Sequence, residues 1–567
     1  MTLKEVLEQT TARHGDRPAL RFKQNGIWRT RSFNELRARI RTVSEICAKH
    51  GVRHGDRVAL YRENTPEWFE LYLGITALGA VAVPVDAHLR EQEVLHILHD
   101  SGAGLLFASA RFYPLLESLA DRLPALKTAV LLEGETVLPA PAGPLRFTSY
   151  HTECEASRTA AQQSGAAYDR SGPAAEDIAS IIYTSGTTGR PKGAMLTHRN
   201  FISNVESSLS VLQPRLSDRF LLLLPLHHSF AFTAVFLIPL YAGCEICLVE
   251  NLRTLAQNMA ETGPSVVMAV PLLLEKMVNR VMEGINRHFM GRLLMRIGLG
   301  RLAGRKVIRK LGGNLRLMVT GAAPCPPAIL KAWKRLGIPV LEGYGITETA
   351  PVLTINPPGK TRPGTVGPAI PGVEIRIDRA DAHGVGEVAV RGPNVMKGYW
   401  KNQAATDEVL RGGWYFTGDL GFLDPDSYLT ICGRKKSLIV NREGKNIYPE
   451  EVELELLKSP YLLECLVTGC RVPGDPGERV GVIAVPDMEA LGEKGTLADQ
   501  EIETLLRQEI RRQAAALAPY KRPRHIQVRY EEFEKTSTAK IKRHLYAMDA
   551  VAMDSRRDCK VEDELTL

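Results

Sequence analysis

Between Tyr183 and Gly193 the chain reads YTSGTTGRPKG. Thr184, Ser185, Thr187 and Thr188 offer hydroxyl donors, Gly186 and Gly189 let backbone N–H groups approach an anion closely, and Lys192 brings positive charge. Such a set suits an oligophosphate. Its flanks, IASIIYT and KGAMLT, both read as strands, and the helix THRNFISNVESSL comes only afterwards. The usual nucleotide-hydrolase loop runs from strand to helix and ends in Gly-Lys-Ser/Thr. Lys192 is flanked instead by Pro191 and Gly193, which excludes that template. A plain Gly-rich turn would not need this many hydroxyl groups beside a lysine.

The loop must be held by a larger framework. At 567 residues the chain is too long for one core, so at least two domains are expected. A hydrophobic share of 44% with 24% charged residues argues against disorder and coiled coil. In SFNELRARIRTVSEICAKHG, Ser32 and Glu35 predict a capping box, Leu36, Ile40 and Val43 a buried face, and Gly51 the stop. The strand VALYR, the helix TPEWFELYLGITALG and the strand VAVPV follow, an alternation that points to an α/β fold with mainly parallel sheets. Residues 134–175, rich in Pro, Ala, Ser and Gly, read as a long surface loop. The texture changes at CGRKKSLIVNREGKN, and a helix at PEEVELELLKS, strands at LECLVTGC and VGVIAV and a helix through 500–515 follow. Residues 1–433 therefore read as a large N-terminal domain, 434–437 as a hinge, and 438–567 as a small mobile α+β domain.

No run approaches the roughly 18 apolar residues of a membrane span, and the N-terminus lacks the pattern of a secretory signal. The nine cysteines are scattered, and Cys244 and Cys247 sit in an apolar stretch that reads as a buried strand, so a reducing cytoplasm is expected. The net charge of +8 traces to one segment. From Lys276 to Lys310 lie Lys276, Arg280, Arg287, Arg292, Arg296, Arg301, Arg305, Lys306, Arg309 and Lys310, against Glu283 alone.

IIYTSGTTGRPKG resembles the AMP-binding signature of the adenylate-forming superfamily, which includes acyl-CoA synthetases, luciferases and peptide-synthetase adenylation domains. LPLHHSF (224–230), VTGAAP (319–324), EGYGITET (342–349), WYFTGDLG (414–421), GRKKS (433–437), GKNIYPEEVE (444–453) and EKTSTAKIKR (534–543) resemble its other motifs, in the family's order. The resemblance implies a two-half reaction. A carboxylate attacks the α-phosphate of ATP to give acyl-AMP and pyrophosphate; a thiol then displaces AMP.

It also implies roles. The opening loop, with Thr184 and Lys192, would hold the β- and γ-phosphates. Glu348 would bind Mg²⁺ and Thr347 would touch the α-phosphate. Tyr344, with Gly343 and Gly345, would stack on adenine beside Gly321, Ala322 and Ala323. Asp419 would bind the ribose hydroxyls, with Arg434 and Ile431 nearby. Lys540 would bridge the substrate carboxylate and the α-phosphate, Lys436 would be the hinge residue, and Gly444, Lys445 and Asn446 would face the thiol channel. Family members commonly have Gly immediately before that catalytic lysine; here Ala539 stands there. If the position needs a positive φ, Ala strains it.

His228, Phe230, Phe232 and Thr233 would line the acyl pocket. The run from Phe230 to Leu240 carries no charge, whereas amino-acid-activating relatives place an Asp there, so an apolar acid is expected. LPLHHSF, LGGNLRLMVTGAAP and GKNIYPEEVE look most like bacterial long-chain fatty acyl-CoA synthetases, so fatty acid, ATP and CoA are the expected substrates. An aryl acid, a carrier-protein thiol as acceptor, and a non-catalytic nucleotide-binding relative are the alternatives. In the basic segment, Val278, Met282, Ile285 and Phe289 are placed on one helical face opposite Lys276, Arg280 and Arg287. That is either a surface helix packed on the core or a peripheral contact with an anionic membrane. Basic residues are not interleaved with aromatics, so nucleic acid is not expected.

Overall fold

The computed structural model describes residues 1–133, 143–162, 166–170, 172–184, 190–443, 445–471, 477–492, 498–536, 540–546 and 548. The chain divides into two compact units. The first is Met1–Arg376 with Ala389–Thr417 and Leu423–Thr430; the second is Ile377–Val388 with Gly418–Phe422 and Ile431–Leu567.

Two eight-stranded sheets build the first unit. In one, parallel strands Val340–Gly345, Leu317–Thr320, Val266–Ala269, Arg219–Leu222, Glu245–Leu248 and Pro18–Gln24 lie side by side, and antiparallel strands Val352–Ile355 and Ile27–Ser32 close its edges. In the other, Ile178–Thr184, Val81–Val85, Arg57–Tyr61, Leu105–Ser109, Thr128–Leu132 and Arg146–Ser149 are parallel. Lys192–Thr197 and then Gly398–Tyr399 extend it antiparallel at one edge. Buried on both faces, Val81–Val85 reads as an unbroken apolar run and Leu105–Ser109 as one up to its terminal serine. The fold is α/β, as the alternation of elements predicts.

The helix Phe33–Lys49 shows how sequence sets these elements. The Ser32 hydroxyl accepts the Glu35 N–H at 3.2 Å, and the Glu35 carboxylate accepts the Ser32 N–H at 2.7 Å. Such a cap contributes about 1 kcal/mol. Leu36, Ile40, Val43 and Cys47 are buried, and a Cβ on Gly74 of the helix Pro66–Ala77 would come within 2.6 Å of Val43. Truncating Ile40 to Ala would cost about 2–5 kcal/mol. Gly51, at φ 77°, ends the segment.

In the second unit, strands Leu462–Arg471, Glu478–Pro486 and His525–Val528 form a three-stranded sheet. Helix Asp499–Ala514 buries Ile502, Leu506, Ile510 and Ala514, four residues apart, in the same apolar cluster as Val452 and Leu456 of helix Pro449–Leu456. The Glu453 carboxylate, raised to about 7 by burial, accepts from Arg543 at 2.6 Å and from the Val467 N–H at 2.7 Å.

Two expectations need correction. Within 134–175, read as a loop, lie the strand Arg146–Ser149 and the helices Tyr150–Gln162 and Ala167–Arg170. Small and polar residues hid the helix: its buried stripe is Glu153, Ser157 and Ala161, at the right spacing but scarcely apolar. The basic segment is three helices, Pro271–Asn286, Phe289–Arg296 and Gly300–Lys310. Phe289 therefore begins a new helix instead of extending the face of Val278 and Ile285. Cys244 and Cys247 are buried on and beside a strand as expected, and burial pushes both thiols up to about 12.

Candidate active site

The opening loop joins two antiparallel strands, with Thr184 paired to Lys192 across its base. Ser185, Gly186, Thr187, Thr188 and Gly189 lie outside the described residues. The Thr184 hydroxyl donates to the Lys192 carbonyl at 3.4 Å. Helix Glu91–Ser101 anchors this hairpin: Tyr183 donates to Asp100 at 2.6 Å, and the His96 ring meets the Pro191 carbonyl at 2.9 Å. The two edge residues Gly398 and Tyr399 pair with Met195 and Ala194. That register sets Tyr399 beside Lys192, whose ammonium lies 5.2 Å from the centre of the tyrosine ring. Half-buried Lys192 makes no ion pair among the described residues, so its charge is available to an anion.

The other sheet supplies the carboxylate. Gly343, Tyr344 and Gly345 end the strand Val340–Gly345, and a single turn of 3₁₀-helix carries Thr347 and Glu348. Glycine is required at 345, because a Cβ there would overlap the Pro351 carbonyl. Buried amides fix the turn. Asn204 Nδ2 donates to the Val352 carbonyl at 2.6 Å, and Asn394 Nδ2 to the Thr349 carbonyl at 2.8 Å. Thr233, fully buried, donates to the Ala350 carbonyl at 2.9 Å. Gly321 lies against this strand: a Cβ on it would sit 3.1 Å from the Gly343 carbonyl oxygen and 3.8 Å from Phe230 Cζ. The next residue, Ala322, has φ 69°, a left-handed conformation costing an alanine roughly 1–2 kcal/mol. Its neighbour Ala323 is exposed.

Tyr399 connects the two halves of this arrangement. Its hydroxyl donates to Glu348 Oε1 at 2.8 Å, and the Met396 N–H donates to the Glu348 carbonyl at 2.8 Å. Buried Tyr415 hydrogen-bonds with Tyr399, and burial drives its phenol well above the ordinary range. A cation, a carboxylate and two hydroxyl groups thus converge from both sheets. The Glu348 carboxylate and Thr347 hydroxyl are hard oxygen donors of the kind Mg²⁺ prefers.

His228 precedes a short helical turn, Ser229–Ala231, that leads into a π-helical run from Phe232 to Leu237. Runs of this type favour functional sites. The Ser229 and Thr347 hydroxyl oxygens are 3.0 Å apart, which ties the His228 segment to the Glu348 turn. The His228 ring is 4.2 Å from that of His227, which itself lies 3.3 Å from Asp86 Oδ2. Asp86, His227 and His228 bring possible metal-ligating atoms within 4.8 Å of one another. Phe232 is buried among aromatic rings, 4.5 Å from Tyr72 and 5.0 Å from Phe201. The structure therefore brings Thr184, Lys192, His228, Phe230, Gly321, Tyr344, Thr347 and Glu348 together in one unit. Tyr399, Ser229, Asn204 and Asn394 were not singled out in the sequence.

In the second unit, Arg434 Nε donates to Asp419 Oδ1 at 2.7 Å, so the buried carboxylate is held in one orientation. Ile431 lies three residues earlier on the strand Leu429–Arg434. Lys436 is exposed in the turn Lys435–Ser437. Lys445 Nζ pairs with Glu443 at 3.0 Å and lies 4.8 Å from the Tyr520 ring centre, while Asn446 pairs with Val440. Gly444 and Ala539 lie outside the described residues. The Lys540 N–H donates to the Thr536 hydroxyl at 3.2 Å, and the Thr536 N–H to the Lys540 carbonyl at 2.8 Å.

The family model described as AMP-binding enzyme matches residues 7–400. The chain is 32% identical over 495 residues to a long-chain-fatty-acid–CoA ligase of Mycobacterium bovis, covering 82% of this chain and 79% of that protein. It is 31% identical over 566 residues to a long-chain-fatty-acid–CoA ligase of Salmonella typhimurium, covering 96% and 93%. In structure it is similar to the anthranilate CoA ligase AuaEII in complex with anthranoyl-AMP, with a TM-score of 0.78, 26% identity and 96% of each chain covered.

Proposed function

The chain belongs to the AMP-binding enzyme family, and from that premise we propose that it is an ATP-dependent, AMP-forming fatty acid–CoA ligase acting on medium- to long-chain acids. The observation that carries the chemistry is the convergence of Lys192 and Glu348 on Tyr399. A cation and a carboxylate held apart by one rigid ring suit a polyphosphate and its divalent ion better than either alone.

In the first half-reaction the acid carboxylate attacks the α-phosphate of ATP, the bond to the β-phosphate breaks, and acyl-AMP and pyrophosphate form. Lys192 and the Thr184 hydroxyl hold the departing pyrophosphate. Thr347 donates to an α-phosphate oxygen, and Tyr344 stacks on adenine while Asp419, oriented by Arg434, accepts from the ribose hydroxyls. Glu348 would hold Mg²⁺, which supplies charge neutralisation on the phosphates. Lys540 bridges the substrate carboxylate and the α-phosphate. Its removal should cost about 3–4 kcal/mol of barrier, roughly 10²–10³ in rate.

In the second half-reaction the CoA thiol attacks the acyl carbon and AMP leaves. Lys540 is needed only in the first half, so we assign 434–437 as the hinge through which residues 438–567 rearrange, with Lys436 at its centre and Gly444, Lys445 and Asn446 toward the thiol. The uncharged run from Phe230 to Leu240, which follows His228 by two residues, supports an apolar acyl chain. Pyrophosphate release measured across fatty and aryl acids, with and without CoA, tests the assignment. Release that depends on a fatty acid, with CoA-dependent thioester, is the expected result. Release only with aryl acids, thioester only on a carrier protein, or no release at all would each overturn it.

A further inference from the structure

We propose that the outer face of residues 287–310 is a docking surface for an anionic lipid bilayer. Helix Phe289–Arg296 has no buried residue. Phe289, Leu293 and Ile297 recur every four positions on one side of it, with Met290 beside them. Phe289 is 72% exposed, Met290 61% and Ile297 56%; Leu299 and Leu302 extend the apolar stripe into the next helix. Single exposed apolar residues are ordinary on a protein surface, but six neighbouring ones in one short stretch are not. Arg287, Arg292, Arg296, Arg301, Arg305, Lys306, Arg309 and Lys310 surround them, all exposed, and none forms an ion pair among the described residues. The one acid between Lys276 and Lys310 is Glu283.

The mounting of this surface is firm. Helix Gly300–Lys310 turns Gly300, Ala303 and Gly304 inward. A Cβ on Gly300 would lie 2.8 Å from the Arg335 carbonyl oxygen, and one on Gly304 would overlap the Leu336 carbonyl. Val307 and Ile308 join the cluster around buried Trp333. That close approach fixes which side of the helix faces out.

Three occupants compete, and charge with apolarity selects one. A second copy would set the same cations against each other across a two-fold axis. A nucleic acid would satisfy the cations but leave five aliphatic or thioether side chains and a lone phenylalanine facing water. An anionic bilayer satisfies both, since headgroups meet the guanidinium groups while Phe289, Met290 and Ile297 enter the acyl boundary. No helix among the described residues is long and apolar enough to cross a membrane, so contact of this kind would be superficial. The proposal stands on this surface and does not require the fatty acid reading, although such a reading gives it a purpose in collecting membrane-dissolved acid.

Co-sedimentation of the full chain with vesicles of phosphatidylcholine, with or without phosphatidylglycerol, tests it without any turnover. Binding to the phosphatidylglycerol vesicles at low salt, falling as salt rises, is expected. Arg292→Glu with Arg296→Glu should weaken it, by roughly fivefold for each positive charge lost. Phe289→Ser with Ile297→Ser should weaken binding even where vesicle charge is unchanged. Both variants should keep the wild-type melting profile. No sedimentation with anionic vesicles at low salt, or sedimentation unchanged in both variants, overturns the proposal. So does a wild-type dimer in solution that Phe289→Ser dissociates, because the stripe would then be covered by a second copy.

Discussion

The Tyr399 hydroxyl donates to the Glu348 carboxylate at 2.8 Å, across 51 positions of sequence, while the same ring lies under the Lys192 ammonium. One side chain therefore touches the two groups on which phosphate and metal chemistry would rest. Tyr399→Phe keeps the ring and removes the hydroxyl that serves both Glu348 and Tyr415. Partners that orient a metal ligand are typically worth about 10–100-fold in metal affinity or activity. The half-saturating Mg²⁺ concentration for pyrophosphate release should rise about tenfold in this variant. An unchanged Mg²⁺ dependence would remove Tyr399 from that role.

Lys192→Ala separates the two half-reactions. Adenylation should slow by roughly 10²-fold, while conversion of supplied acyl-AMP and CoA to thioester should change little. Single-turnover measurements of each half check this. Equal losses in both halves would count against a lysine dedicated to the departing pyrophosphate.

Glu342, buried beside Gly343, gives a pH signature. Desolvation raises its carboxyl from 4.5 to about 7, against the lowering effect of the Gly364 N–H. Between those values the unfolded chain has lost this proton and the folded chain retains it. The group's contribution to stability is therefore fully present below pH 4.5 and is lost as pH rises through about 7. Glu342→Gln removes the titration and keeps an acceptor oxygen for Gly364. Its advantage over wild type should be small near pH 4.5 and grow to at most about 3 kcal/mol above pH 7. Denaturant unfolding across that range is the check; a difference independent of pH would refute it.

Gly345→Ala asks for space that does not exist, since the new methyl would overlap the Pro351 carbonyl. Relief requires the hairpin carrying Glu348 to shift. A cost of about 1–3 kcal/mol is expected, with a melting point lower by several degrees. A variant as stable as wild type would mean that the turn is softer than its amide network suggests.

What could be read in the sequence was local or periodic. The Ser32–Glu35 cap, the buried face of Leu36, Ile40 and Val43, and the strand-to-strand setting of the phosphate loop are all encoded within a few residues of themselves, and the structure reproduces them. Tyr399 was not legible, because a two-residue edge strand has no period and its partners arrive from distant segments. Helix Tyr150–Gln162 escaped for a different reason: Glu153 is buried there, where Lys49 Nζ meets it at 2.8 Å, so its inward face does not look inward-facing. The break near Arg287 was hidden by a helical pattern that continues in sequence across two separate helices.

The pairing of Tyr399 with Ala194 acts as a ruler made of main chain. Side chains on a strand alternate, so inserting one residue between Met396 and Tyr399 would turn the ring to the opposite side of the sheet. Lys192 and Glu348 would each remain in place on its own sheet, with nothing gauging the gap between them. Tolerance to insertion should consequently fall sharply at 397–399 and recover in the exposed turn at Gly412 and Gly413. The spacing of opposite charges would thus be inherited as strand register, and a library of single-residue insertions would map it without any knowledge of the acid.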